Sequence, residues 1–251
     1  THHDLAVMLP NINPYLRSKN ISKDEWCDQK IKEMEETILS IGADQIGCFI
    51  AEPILASGGV IVPPAGYHTR SLELCKKYDI VYISDETVTG FGRLGHWFAS
   101  KEVFNIQPDI ITCAKGLTSG YLPMGAAIMS DSLIDGIKNT EGSQPFTNGY
   151  TYSCHPVAAK AALTNINIIS NENILGHVQE ISPHFQARLK AIGEKYDIIG
   201  DARGLGLLGC LEGLGSKSTS EEARLKIDTE FGQLMDDACE KRGLLVRPII
   251  N

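Results

Sequence analysis

The chain has 251 residues, 43% of them hydrophobic and 7% aromatic, with a formal net charge of −8. Such a composition supports one large or two modest packed domains and excludes a disordered chain. The negative charge argues against a nucleic-acid or anionic-membrane surface, and no apolar run reaches the roughly 18 residues that span a bilayer.

The opening Thr1-His2-His3-Asp4 is polar with no apolar core behind it, so no signal peptide is expected. The seven cysteines, at 27, 48, 75, 113, 154, 210 and 239, include no CxxC pair. They read as small hydrophobes of a reducing compartment, so a cytoplasmic protein without disulfides or bound metal is expected. Residues 23–41 follow as an amphipathic helix, with Trp26, Ile31, Met34 and Ile38 near helical spacing. A strand is expected at 46–50, a turn-rich loop over 56–64 and a helix over 66–78. A second strand, Ile80-Val81-Tyr82-Ile83, runs to Asp85, followed by the glycine-rich turn Thr89-Gly90-Phe91-Gly92-Arg93 and a short helix near 97–104. A third strand, Ile110-Ile111-Thr112-Cys113-Ala114, leads to Lys115, and a fourth covers 125–129. Short continuous apolar strands alternating with helices imply an α/β fold with a mostly parallel sheet and helices on both faces.

After Pro156 the pattern changes. Helices are expected over 156–169 and about 171–195, then runs at 198–200 and 205–211, a helix about 220–241 and a strand at 243–247. Strands so close in sequence pair antiparallel. This divides the chain into a large domain, 1–165, and a smaller C-terminal α+β domain, 166–251.

Three strands in succession end at an ionisable residue: Glu52, Asp85 and Lys115. In open α/β sheets the carboxyl edge is where ligands bind. Lysine is rarely buried unless paired, and burial lowers the pKa of an amine and frees it to act as a nucleophile or Schiff-base partner. Alone, Lys115 also reads as a strand-end lysine reaching solvent, and Asp85 as a cap or turn residue. Together they suit a pyridinium cofactor, with the amine holding an aldehyde as an imine and the carboxylate keeping the ring nitrogen protonated. Two other motifs carry less. Cys154-His155 are adjacent, so they point apart on an extended segment. Gly204-Leu205-Gly206-Leu207-Leu208-Gly209 fits GxGxxG but lies in a strand pattern, where close strand packing explains it better than a dinucleotide.

The ordered series Asp85-Glu86-Thr87-Val88-Thr89-Gly90-Phe91-Gly92-Arg93, Pro108-Asp109-Ile110, Ala114-Lys115-Gly116-Leu117 and Tyr121-Leu122-Pro123-Met124-Gly125 resembles the signature of class III (omega-type) aminotransferases. Ala51-Glu52-Pro53, Gly149-Tyr150-Thr151-Tyr152 with His155-Pro156, and Gly243-Leu244-Leu245-Val246-Arg247-Pro248 extend the resemblance from about residue 46 to 248. It implies the fold-type I architecture, pyridoxal 5′-phosphate (PLP) as cofactor, and transamination between an amine or ω-amino acid and a keto acid such as pyruvate. It implies that Lys115 forms the internal aldimine and shuttles a proton, and that Asp85 pairs with the ring nitrogen. By the same resemblance, Thr87 would stand against the cofactor ring where the family usually has Val, and Glu52 would lie near the cofactor and shape the donor site. Thr151 would bond the phosphate of a cofactor held by the partner subunit of a homodimer with shared active sites. Arg247 would meet a substrate carboxylate bidentately. The family's glycine- and serine-rich phosphate turn and its second ring-covering aromatic normally lie upstream of residue 1, so this stretch alone is expected to hold PLP weakly. An aminomutase or decarboxylase on the same fold shares Lys115 and Asp85, and a non-catalytic remnant that dimerises or binds a partner is the reading from a different class.

Overall fold

Ser22 opens the first long helix. In the computed structural model, which describes residues 5–139, 148–213 and 221–249, the Glu25 amide donates to the Ser22 hydroxyl at 3.1 Å. The Ser22 amide donates back to the Glu25 carboxylate at 2.7 Å. This reciprocal cap satisfies two donors that a helix start otherwise leaves unpaired. Helix α1 (Lys23–Ile41) buries Cys27, Ile31, Met34 and Ile38 at helical spacing. Strand β1 (Cys48–Ala51) follows, then α2 (Tyr67–Lys77), β2 (Val81–Asp85), the short α3 (Ala99–Glu102), β3 (Ile110–Cys113) and β4 (Ala126–Met129). The polar opening at residues 1–4 lies outside the described residues.

The sheet order is β1-β2-β3-β4. The first three strands run parallel, with Ala51 beside Ser84 and Asp85 beside Thr112. β4 pairs antiparallel to β3, because the loop that returns the chain contains no crossover helix. One face packs against α1 and α2 in a core that joins Tyr82, Ile80 and Phe49 to Met34, Ile38 and Cys75. The opposite face carries Cys48, Ile50, Val81, Ile83, Ile110 and Thr112, none of them fully buried, and Ile50 is 58% exposed.

Beyond β4 comes α4 (Asp131–Asn139), which the sequence reading passes over, then α5 (Pro156–Asn171) and α6 (Ile174–Lys195). Strands β5 (Ile199–Leu205) and β6 (Leu208–Gly213) form the expected antiparallel hairpin. The GxGxxG stretch is the hairpin's own turn: Gly206 has a φ of 58°, and a Cβ there would stand 2.7 Å from the Leu94 backbone. The Leu207 amide bonds the Arg93 carbonyl at 3.0 Å, so the hairpin docks on the glycine-rich turn after β2. Arg203 makes a second junction, to the loop after β1. It donates to the Gly59 carbonyl at 2.6 and 2.9 Å, and it pairs with Asp201 and Glu212. Helix α7 spans Glu221–Glu240; residue 220, where the sequence reading begins this helix, lies outside the described residues. The strand expected at 243–247 does not form; residues 244–249 run without a ladder partner among the described residues. Among those residues no helix is long and apolar enough to cross a membrane.

Candidate active site

The parallel register places the ends of β1, β2 and β3 in one row. Asp85 is the last residue of β2 and is half-buried. Its Oδ1 accepts from the Thr87 amide at 3.0 Å and the Thr112 hydroxyl at 3.1 Å. The first bond is an Asx turn that fixes Thr87 beside the carboxylate. Among the described residues no hydrogen bond reaches Oδ2, so one carboxylate oxygen is held for orientation and the other is available.

Glu52 follows β1 directly, and its Oε2 accepts from the Ala56 amide at 3.1 Å. Burial pushes the Glu52 carboxyl above its ordinary pKa; the Ala56 amide draws it down, Asp85 raises it and Lys115 lowers it. Asp85 and Lys115 are therefore each within electrostatic reach of Glu52.

Lys115 departs from expectation. It is exposed rather than buried, and it does not end the strand. β3 closes at Cys113, and Lys115 opens a 3-10 turn, Lys115–Leu117, with a φ of 32°. The turn swings the lysine out of the strand's row and into solvent. Two contacts force it. A Cβ on Gly116 would lie 2.9 Å from the Phe91 Cβ and 3.3 Å from the Gly90 carbonyl oxygen, so only glycine passes there. On the other side, the Asn165 amide of α5 donates to the Gly116 and Leu117 carbonyls. Phe91 itself has a φ of 56° and is held by Trp97, whose carbonyl accepts its amide at 2.8 Å. Phe91 and Lys115, both non-glycine residues in left-handed conformations, thus flank the tight contact at Gly116, and such conformations persist where the surroundings over-determine them.

Two buried networks that local sequence pattern does not reveal brace this edge. Glu86, fully buried, accepts from the Ala99 amide at 2.9 Å, the Ser100 amide at 2.7 Å, the Ser100 hydroxyl at 2.5 Å and the Thr89 hydroxyl at 2.6 Å. It binds α3 and the glycine-rich turn to the end of β2. The signal is present in Glu86 followed three residues later by Thr89, but Ala99 and Ser100 are distant in sequence. His68 of α2 lies 2.9 Å from both the Pro53 carbonyl and the Tyr82 hydroxyl. A neutral ring fits both, with Nε2 donating to Pro53 and Nδ1 accepting from Tyr82. That bond anchors the residue next to Glu52. A histidine on the apolar face of α2 is the only local hint.

Thr151 sits in an exposed turn, closed by the Tyr150 amide donating to the Ser153 hydroxyl at 2.9 Å. Arg247 is exposed in the segment after α7. Among the described residues no hydrogen bond or ion pair joins either one to Asp85 or Lys115. A cavity of about 390 Å³ lies between Trp97, Pro108 and Gln179, and another of about 670 Å³ between Tyr121 and α5; Glu52, Asp85 and Lys115 line neither. The edge is an open ledge. The residues present suit a ring cofactor bearing an aldehyde: among the described residues Asp85 Oδ2 is an acceptor without a donor, and the Lys115 amine is exposed without an ion-pair partner.

Comparison with known proteins agrees with this chemistry. A family model described as aminotransferase class-III matches residues 1–249. The chain is 40% identical over 236 residues to a putrescine–pyruvate aminotransferase of Pseudomonas aeruginosa, covering 94% of this chain and 50% of that protein. It is 42% identical over 229 residues to the mitochondrial gamma aminobutyrate transaminase 1 of Solanum lycopersicum, covering 90% and 43%. Among solved structures, an omega-transaminase of Pseudomonas jessenii in complex with PMP superposes with a TM-score of 0.87 at 31% identity, over 96% of this chain and 52% of that one. An (S)-enantioselective omega-transaminase of Thermomicrobium roseum gives 0.84 at 34% identity, over 95% and 52%. The chain spans about half the length of the relatives it matches.

Proposed function

The chain belongs to the class III aminotransferases, a PLP-dependent family of fold type I, and on that premise we propose that it carries the lysine and aspartate of a transamination site. The amino group would pass from an amine or ω-amino acid to a keto acid such as pyruvate. The observation that carries this reading is the convergence of Glu52, Asp85 and Lys115 on one sheet edge, with Asp85 Oδ2 left without a donor.

When bound, PLP supplies an electron-accepting ring that stabilises negative charge on the carbon next to a substrate nitrogen. Asp85 Oδ2 holds a proton on the ring nitrogen by charge and hydrogen bond, while Thr87 and Thr112 keep the carboxylate from rotating. Lys115 Nζ would hold the aldehyde end of the cofactor, and as a free amine would move a proton to and from the substrate carbon. Its exposure on a turn, rather than in the strand, gives the amine room for both tasks. Thr87 borders the ring, and Glu52 shapes the donor side. Arg247 receives a substrate carboxylate, and Thr151 serves the phosphate of a cofactor in the opposite subunit of a twofold dimer. The sheet of β1–β4 and the β5–β6 hairpin represent the large and small domains divided near residue 165.

The donor class draws support from the relatives' names: putrescine and gamma aminobutyrate both end in a primary amine on a flexible chain. The test is borohydride treatment of the protein after incubation with PLP, followed by peptide mass analysis. Label is expected on the peptide carrying Lys115, with Lys115→Ala losing the label and turnover by at least about 10²–10⁴-fold. Label on a different lysine refutes the assignment.

A further inference from the structure

The turn that presents Lys115 is held from a distant helix. Asn165, half-buried on α5, donates through Nδ2 to the Gly116 carbonyl at 2.8 Å and the Leu117 carbonyl at 3.1 Å. Its Oδ1 accepts from the Ser119 hydroxyl at 2.7 Å. The opposite amide orientation would turn an oxygen toward two carbonyl oxygens, so the network defines which way the amide lies. Gly116 is meanwhile pressed against Phe91 with no space for a Cβ. Lys115 adopts its left-handed φ of 32° between these two restraints. Leu117 and Thr118 are buried behind it, and the Thr118 hydroxyl bonds the Leu122 carbonyl at 2.6 Å.

We propose that Asn165 is the positioning residue of Lys115: by tying the two carbonyls that follow the lysine, it fixes the direction in which the amine leaves the sheet edge. The inference rests on the reading of Lys115 as the cofactor-holding amine. Asn165 touches neither the amine nor Asp85, so it acts only through the backbone of the turn. An ordinary tie between α5 and a loop would affect stability alone. A positioning residue affects how often Nζ is presented correctly, and so the rate of the step that needs it.

Two variants separate the roles. Asn165→Ala removes all three bonds. Asn165→Asp keeps the size and the acceptor for Ser119 but sets an oxygen against the Gly116 and Leu117 carbonyls, so it breaks the tie to the turn while retaining the Ser119 bond if the alanine variant folds poorly. Each lost bond to a half-buried carbonyl weakens local order by roughly two- to tenfold. Both variants should therefore show amide hydrogen exchange at residues 116–121 faster by about tenfold, with β1 and β2 unchanged. PLP trapped on Lys115 by borohydride in a fixed short time should fall by about tenfold, and kcat for amine consumption should fall equally while KM stays within about twofold. If the wild type is labelled on Lys115 and both variants label at its rate with unchanged kcat, the positioning role is refuted and the functional reading stands. If the wild type carries its label elsewhere, the functional reading falls and this inference with it.

Discussion

Acidification tests the network that anchors the residue next to Glu52. Burial pushes His68 from 6.5 down to about 4, with the Pro53 carbonyl opposing in part. The folded chain thus binds this proton later than the unfolded chain as pH falls. The neutral ring contributes its full stabilisation above about pH 6.5, and that contribution drains away as pH falls toward 4. Near pH 5 the unfolded state is favoured by a factor of about 30 through this one group, or about 2 kcal/mol, rising to about 3 kcal/mol near pH 4. Carboxylates also titrate in that range, so the informative quantity is a difference between two proteins. Urea unfolding of the wild type and of His68→Gln, followed by circular dichroism near pH 7.5, 6 and 5, isolates it. Glutamine can offer one donor and one acceptor but cannot charge. The variant should be less stable at neutral pH, and the gap should shrink by about 2 kcal/mol near pH 5. A gap that stays constant across the three pH values would show that His68 does not titrate as a buried neutral ring.

Three further outcomes bear on the site. Asp85→Asn should keep the fold and slow transamination by about 10²–10³-fold, because an amide cannot hold a proton on a neighbouring nitrogen by charge; single-turnover kinetics at wild-type speed would remove Asp85 from the mechanism. Glu86→Gln places an NH₂ group against amide or hydroxyl donors that now meet a carboxylate oxygen, and should cost roughly 3 kcal/mol in chemical denaturation; a change within experimental error would mean the network is dispensable. Arg247→Ala should impair only substrates that carry a carboxylate, so equal loss with a carboxylate-free amine in the half-reaction would mark it as structural.

The strand–helix alternation from β1 to β3 is legible because each apolar run is short and bounded, and because parallel strands need helical crossovers. The placement of Glu52 and Asp85 at neighbouring strand ends follows from that alternation. Where each side chain goes after its strand ends is not legible. Lys115 reads as buried from its neighbours Ile110–Cys113, yet a turn enforced by Phe91 and Asn165 takes it into solvent, and both partners are remote in sequence. The same limit hides the donors to Glu86 and the two partners of His68. Residues 243–247 have the composition of a strand, but a ladder also requires a neighbour, which local pattern cannot reveal. Helix α4 goes unread, although its apolar residues Leu133, Ile134 and Ile137 lie at helical spacing.

The partly covered face of the sheet has a colloidal consequence. Ile50, Val81, Ile83 and Ile110 form an apolar stripe on a molecule whose net charge is −8. At low ionic strength, like-charge repulsion keeps copies apart and the stripe stays wet. Near 0.1 M salt the range of that repulsion shrinks to about 10 Å. Attraction between stripes then competes with it at contact, so light scattering from this chain should climb with added salt, the reverse of a protein held together by surface ion pairs.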